Sequence, residues 1–124
     1  MSKKILVVDD EEDICEIVGD YIGDIVEGAH ITSAHDGLEG FIASKGQKFD
    51  LIVTDMKMPF LNGKDFILAV RSKENQNTET PFIMLSGFLN SETISRLEEK
   101  GIICLSKPIN LDGFAAAVKR SLEL

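Results

Sequence analysis

Five short apolar runs divide the chain, at residues 5–8 (ILVV), 30–34 (HITSA), 49–54 (FDLIVT), 82–85 (FIML) and 102–105 (IICL). Three of them are continuously apolar rather than alternating, which suits strands covered on both faces, as in a parallel sheet. Each is followed by turn residues and then by apolar residues at helical spacing. Ile14, Ile17, Val18, Tyr21, Ile22 and Ile25 predict a helix over about 12–26, stopped by Gly28. Leu38, Phe41 and Ile42 predict a second helix reaching Lys45 and ended by Gly46. Phe66, Ile67, Ala69 and Val70 mark a third ending near Ser72, after a 56–63 loop holding Pro59, Asn62 and Gly63. Asn90 or Ser91 can cap a fourth, with Ile94 and Leu97, ending at Lys100 and Gly101. Asn110 can cap a fifth, with Leu111, Phe114, Ala115, Val118 and Leu122 on its apolar face. The polar stretch 74–80 reads as a loop. Strands alternating with helices through right-handed crossovers give a parallel α/β sheet, while leaving the order of strands open.

At 124 residues the chain is expected to form one domain, 1–124, large enough for a real core. Its net charge of −8 disfavours nucleic acid or an anionic membrane as partner. A metal cation such as Mg²⁺ or a basic protein surface remains compatible with that charge. The start, MSKKILVVDD, has an apolar run too short for a signal-peptide core, and no segment could span a bilayer, so a cytoplasmic location is expected. Cys15 and Cys104 have no CxxC or His-spaced partner and read as small hydrophobes rather than a zinc or disulfide framework. His30 and His35 read as surface or strand-end residues.

Function is suggested by what stands where the runs end. Asp9 and Asp10 follow the first, Asp55 the third, Ser86 the fourth and Lys107 the fifth. In a parallel sheet these places share one edge, the edge where open α/β sheets bind ligands. Taken singly, the first two aspartates read as helix-start residues, Ser86 as a turn residue and Lys107 as a solvated charge. Together they read as a site. Three converging carboxylates repel, so their pKa values rise or a cation joins them. One lysine leaves two negative charges uncompensated, which Mg²⁺, a hard oxygen-seeking cation, balances. That assembly suits phosphoryl transfer, with Asp55 as the nucleophile forming an acyl phosphate. Asp10 and Asp55 would hold the metal, Asp9 directly or through water. Lys107 would pair with the phosphoryl group, and the Ser86 hydroxyl would donate to it.

VVDD at 7–10, TDMKMP around Asp55, LSG at 85–87 and SKP at 106–108 resemble the signature of the receiver domains of bacterial response regulators, the CheY-like superfamily. The resemblance covers essentially the whole chain and implies a stand-alone (βα)5 receiver with a flavodoxin-like sheet of order 2-1-3-4-5, a fold for which the chemotaxis receiver is a standard example. It further implies phosphoryl transfer to Asp55 from a histidine kinase or histidine phosphotransfer protein, dependence on Mg²⁺, and slow self-dephosphorylation rather than enzymatic turnover. The Lys57 backbone carbonyl takes the third protein ligand position, and the peptide before Pro108 is expected to be cis. Ser86, Cys104 and Pro108 occupy the switch positions. A protein target is implied on the face of the fourth helix, fifth strand and fifth helix, on a monomer or weak homodimer.

Three departures stand out. Cys104 replaces the usual Tyr or Phe, so a thiol stands where an aromatic ring normally transmits the switch. Asn62 replaces a common Asp. Lys57 and Phe88 flank the expected water path to the acyl phosphate, which implies a longer-lived phosphoryl state. A phosphatase-like hydrolase with Asp55 as nucleophile is the rival; such enzymes carry a second Asp two residues on, where this chain has Lys57. A flavodoxin-like cofactor binder would need a phosphate-cradling loop after the first strand, and the acidic run at 9–12 would repel phosphate there.

Overall fold

The computed structural model describes residues 2–87 and 89–124. Five strands, β1 (Lys4–Val8), β2 (His30–Ala34), β3 (Leu51–Asp55), β4 (Phe82–Ser86) and β5 (Ile103–Ser106), alternate with five helices. These are α1 (Glu12–Ile25), α2 (Gly37–Gly46), α3 (Gly63–Val70), α4 (Ser91–Glu99) and α5 (Leu111–Leu122). All strand pairs are parallel, and the order is β2-β1-β3-β4-β5. The central strand β3 therefore ends with Asp55 between the ends of β1 and β4.

Strand pleating divides the core in two. Ile5, Val7, Leu51, Val53, Ile83 and Leu85 face Val18 and Ile22 of α1 and Phe114 and Val118 of α5. Leu6, Val8, Ile52, Phe82 and Met84 face Phe66, Ile67 and Val70 of α3 and Leu97 of α4. Four helices start on side-chain caps: Asp36 accepts from Glu39 N at 2.7 Å, Asn62 from Asp65 N at 2.9 Å, Asn90 from Thr93 N at 2.7 Å and Asn110 from Gly113 N at 2.8 Å.

The last three strands each end one residue later than the sequence reading, and three further boundaries differ from it. Phe49 lies outside β3, because its N–H donates to the Asn77 side chain at 2.7 Å rather than to a neighbouring strand. Ile102 lies outside β5: its N–H closes the end of α4 on Leu97 O at 3.1 Å, beside Gly101 at φ +81°. Helix α3 stops at Val70 rather than near Ser72. Helix α2 forms where Leu38, Phe41 and Ile42 predict it, but not all of these residues face the core. Leu38 and Ile42 point outward, and Gly37, Gly40 and Ser44 are the buried residues. A Cβ on Gly40 would meet Val8 at 3.0 Å and Phe66 at 3.1 Å, so α2 sits too close to the core for large side chains on that line. Gly63 has a similar role at the site, where a Cβ would collide with the Asp55 carbonyl.

The 74–80 stretch is more than a solvated loop. Asn75, Asn77 and Thr80 are buried, and Asn77 ties α2 to the approach of β3.

Candidate functional site

The ends of β1, β3 and β5 bring Asp9, Asp55 and Lys107 into direct contact. Lys107 Nζ donates to Asp9 Oδ2 at 2.9 Å and stands 3.5 Å from Asp55 Oδ2. The aspartate side chains are 4% and 10% exposed, that of Lys107 23%, so this is a largely desolvated triad with two anions and one cation. Each carboxylate is also held by backbone: Asp9 Oδ1 accepts from Glu11 N at 3.0 Å, and Asp55 Oδ1 from Met56 N at 2.8 Å. The cap residue of α1 is Glu11, whose side chain makes no capping bond, so the carboxylate of Asp9 serves the rim instead.

Asp10, at the solvent side of the rim, is exposed. Asp9, Asp10 and Asp55 can each offer one oxygen such that all three lie within 4.8 Å of one another. A hard-oxygen donor set of this kind, with one buried edge and one open edge, fits a divalent cation that keeps several waters.

Burial raises the pKa of Asp55 above the ordinary carboxylate value; the Asp9 charge raises it further, and Lys107 only partly offsets both. Burial works to lower Lys107, but its hydrogen bond to Asp9 and the charges of Asp55 and Asp9 outweigh burial and hold it above the ordinary lysine value. The lysine thus remains the ammonium the two carboxylates require. Replacing it with Met is expected to cost about 2–3 kcal/mol near neutral pH, because it strands two desolvated carboxylates. A raised lysine contributes stability that is complete below its unfolded pKa, near 10.5, and lost as pH rises through the folded value. Lys107→Met should therefore flatten the alkaline limb of the stability curve, as read by urea unfolding across pH. Addition of Asp9→Asn should recover much of the loss.

Ser86 ends β4, one residue beyond Leu85, the register partner of Asp55, and is buried. Its carbonyl accepts from Lys107 N at 3.0 Å, which fixes the β5 rim against β4. Pro108 follows through a cis peptide, as the sequence resemblance implies. Lys57 lies exposed in the loop after Asp55. Cys104 is half-buried on β5 opposite Met84, packed against the α3–α4 side of the core. Burial, with help from Glu98, pushes its thiol up to about 11, so it is neutral at physiological pH. Phe88 lies outside the described residues. His30 is exposed at a strand start, and exposed His35 meets Glu39 at 3.3 Å.

One supporting residue escaped sequence reasoning. Cys15 is buried behind the rim, and its Sγ donates to the Asp9 carbonyl at 3.4 Å. Its position one turn into α1 on the inner face was legible; its partner was not.

The sequence profile of the family described as "Response regulator receiver domain" matches residues 5–119. The chain is 36% identical over 81 residues to the "Uncharacterized transcriptional regulatory protein YcbL" of Bacillus subtilis, a match covering 65% of this chain and 33% of that protein. It is 29% identical over 117 residues to the "Probable chemotaxis protein CheY" of Rhizobium etli, covering 94% and 89% of the two. Among solved structures, the chemotaxis protein CheY4 of Vibrio cholerae superposes with a TM-score of 0.85 at 30% identity, covering 98% of this chain and all of that one. The chain spans from 3% to 56% of the length of other curated relatives, among them a Dictyostelium discoideum hybrid histidine kinase and a Porphyra purpurea regulator.

Proposed function

The chain belongs to the response regulator receiver domain family of two-component signalling, with the CheY fold, and from that premise we propose that Asp55 accepts a phosphoryl group from the phosphohistidine of a histidine kinase or phosphotransfer protein. The observation that carries this reading is a buried carboxylate at the end of the central strand, 3.5 Å from a lysine ammonium and beside a second buried aspartate.

An Asp55 oxygen attacks phosphorus in line; a P–O bond forms as the P–N bond to the donor imidazole breaks, and the imidazole leaves with the bonding pair. Lys107 is already charged and already aimed at the Asp55 oxygen, so it meets the new phosphoryl charge without rearranging far. The Ser86 hydroxyl, at the end of the neighbouring strand, donates to a phosphoryl oxygen. Asp9, Asp10, Asp55 and the Lys57 carbonyl would hold Mg²⁺. When bound, that ion neutralises charge on the carboxylates and on the transferring group.

A donor protein has a surface to use: an apolar cavity of about 280 Å³, lined by Ile14, Ile17, Tyr21, Pro108 and Ile109, adjoins Lys107. Output runs through Ser86, Cys104 and Pro108 to a protein target on the α4–β5–α5 face. Because Cys104 lacks the bulk of an aromatic ring, the shift passes through α4 and its loop more than through a side chain on β5. Phosphorylation biases that equilibrium only by the difference in free energy it makes between the two states. We read residues 1–124 as one receiver unit, a monomer or weak homodimer acting in the cytoplasm. No helix among the described residues is long and apolar enough to cross a membrane.

The test is incubation with Mg²⁺ and acetyl phosphate, followed by mass spectrometry of the intact chain. A gain of one phosphoryl group, released by hydroxylamine as an acyl phosphate must be, is expected. No gain under these conditions or with a panel of phosphorylated histidine kinases would refute the reading.

A further inference from the structure

The cleft between α3 and α4 gathers three of the chain's 13 Lys and Arg side chains in a molecule of net charge −8. Lys64, Thr93, Arg96, Leu97 and Lys100 line a cavity there of about 140 Å³. Leu97 is buried in the core, while the three basic residues and Thr93 make up the rest of the lining. Among the described residues, the side-chain ammonium groups of Lys64 and Lys100 have no ion-pair or hydrogen-bond partner. Arg96 meets Glu92 at 2.7 Å in an exposed pair one turn apart on the same helix, a weak interaction that a better acceptor can share. Arg96 lies in the last turn of α4 and Lys100 is its C-cap, four residues on, so both stand at the negative end of the helix. The end of α4 accounts for Arg96 and Lys100 but not for Lys64, which comes from the first turn of α3, where positive charge opposes the helix dipole.

We propose that this cleft binds a phosphate dianion, free or at the end of a small phosphomonoester. Three cations less the one carboxylate leave two positive charges, the complement of such a group. The guanidinium of Arg96 can take two oxygens as a fork, the lysines act as point charges, and Thr93 adds a hydroxyl donor. The cavity is well below the several hundred Å³ of pockets that enclose drug-sized ligands, so it recognises the phosphate and leaves any attached group in solvent. The cleft shares no lining residue with the acidic rim of Asp9, Asp10 and Asp55, whose charge has the opposite sign.

The experiment is a titration of the wild-type chain in EDTA, followed by backbone amide NMR, with sodium chloride holding ionic strength constant. One arm uses inorganic phosphate and the other glycerol phosphate. Saturable shifts centred on Lys64, Thr93, Arg96 and Leu97 are expected, with a dissociation constant of about 1 mM or tighter. Equal binding of the two shows that the cleft reads the phosphate alone with any attached group in solvent; weaker binding of glycerol phosphate assigns free phosphate as the ligand, and tighter binding assigns an ester whose attached group adds a contact. Lys64→Gln and Lys100→Gln should each weaken binding about tenfold, and both are exposed enough to leave the melting temperature unchanged. Non-saturating shifts, shifts centred elsewhere, or affinity indifferent to both lysine substitutions would overturn the proposal. Without Mg²⁺ or an activated donor no acyl phosphate forms, so the result does not depend on the role of Asp55.

Discussion

Asp55→Asn is expected to abolish phosphoryl uptake and, in the absence of metal, to make the protein more stable. Loss of the nucleophile should lower labelling by acetyl phosphate by more than about 10³-fold, to background. The stability gain follows from what the carboxylate suffers in the folded state. Burial and the neighbouring Asp9 raise its pKa above its unfolded value, and Lys107 at 3.5 Å does not fully compensate. A carboxyl with a raised folded pKa favours folding while protonated, below its unfolded pKa, and loses that contribution as pH rises through the folded value. At pH 7 the wild-type carboxylate is therefore a net cost, which an isosteric amide avoids. The variant should be about 1 kcal/mol more stable in EDTA at neutral pH, with the gap closing in acid, as judged by urea unfolding. Mg²⁺ should reverse the order. A ligand at a hundredfold excess over its dissociation constant adds about 2.7 kcal/mol to a protein that binds it only when folded, and the variant should gain much less. A variant that still takes phosphate, or is less stable than wild type in EDTA at pH 7, would contradict this account.

Asn77→Ala is expected to cost about 3–4 kcal/mol and lower the melting temperature by about 10–15 °C, with little effect on phosphoryl uptake in the folded protein. Asn77 is fully buried and uses its whole hydrogen-bonding capacity. Its Nδ2 donates to Ser44 O at 2.6 Å and Gln47 O at 2.8 Å, and its Oδ1 accepts from Phe49 N at 2.7 Å and Thr80 Oγ1 at 2.9 Å. Alanine leaves two carbonyls and the Phe49 amide underbonded in a largely buried site, each costing about 1–3 kcal/mol before relaxation, while the Thr80 hydroxyl keeps Phe49 O as acceptor at 3.1 Å. The neighbouring Arg71 cannot substitute, since its Nη1 is committed to Thr78 O and Thr80 O at 2.9 and 2.7 Å while the guanidinium lies over the Phe82 ring. Asn77→Asp should be no milder. It keeps an acceptor for Phe49 but turns a carboxylate toward the carbonyls of Ser44 and Gln47. Thermal melts of the two variants, with acetyl phosphate labelling well below their midpoints, check both parts.

The rim was legible from local features. Each rim residue stands at the end of an apolar run, and a parallel sheet brings every such position to one edge. What could not be read was how much each group is withheld from water. Asp9 and Asp10 are adjacent and chemically identical, yet one is buried against Lys107 and the other exposed. Residues 74–80 carry only polar side chains, so hydropathy assigns them to solvent; their burial depends on partners about thirty positions away, at Ser44, Gln47 and Phe49. Leu38 and Ile42 mark the helix correctly but are exposed, because the close approach of α2 admits only glycine and serine on its inner line.

The sequence by itself determined the alternation of strand and helix, the caps of α4 and α5 and the identity of the rim residues, because each depends on groups a few positions apart along the chain. Tertiary structure alone decided which carboxylate is desolvated, which polar residues lie inside and which cations converge between α3 and α4. Those outcomes depend on distances and dielectric set by segments remote in sequence, which appear only when the strands take their order and the helices close over them.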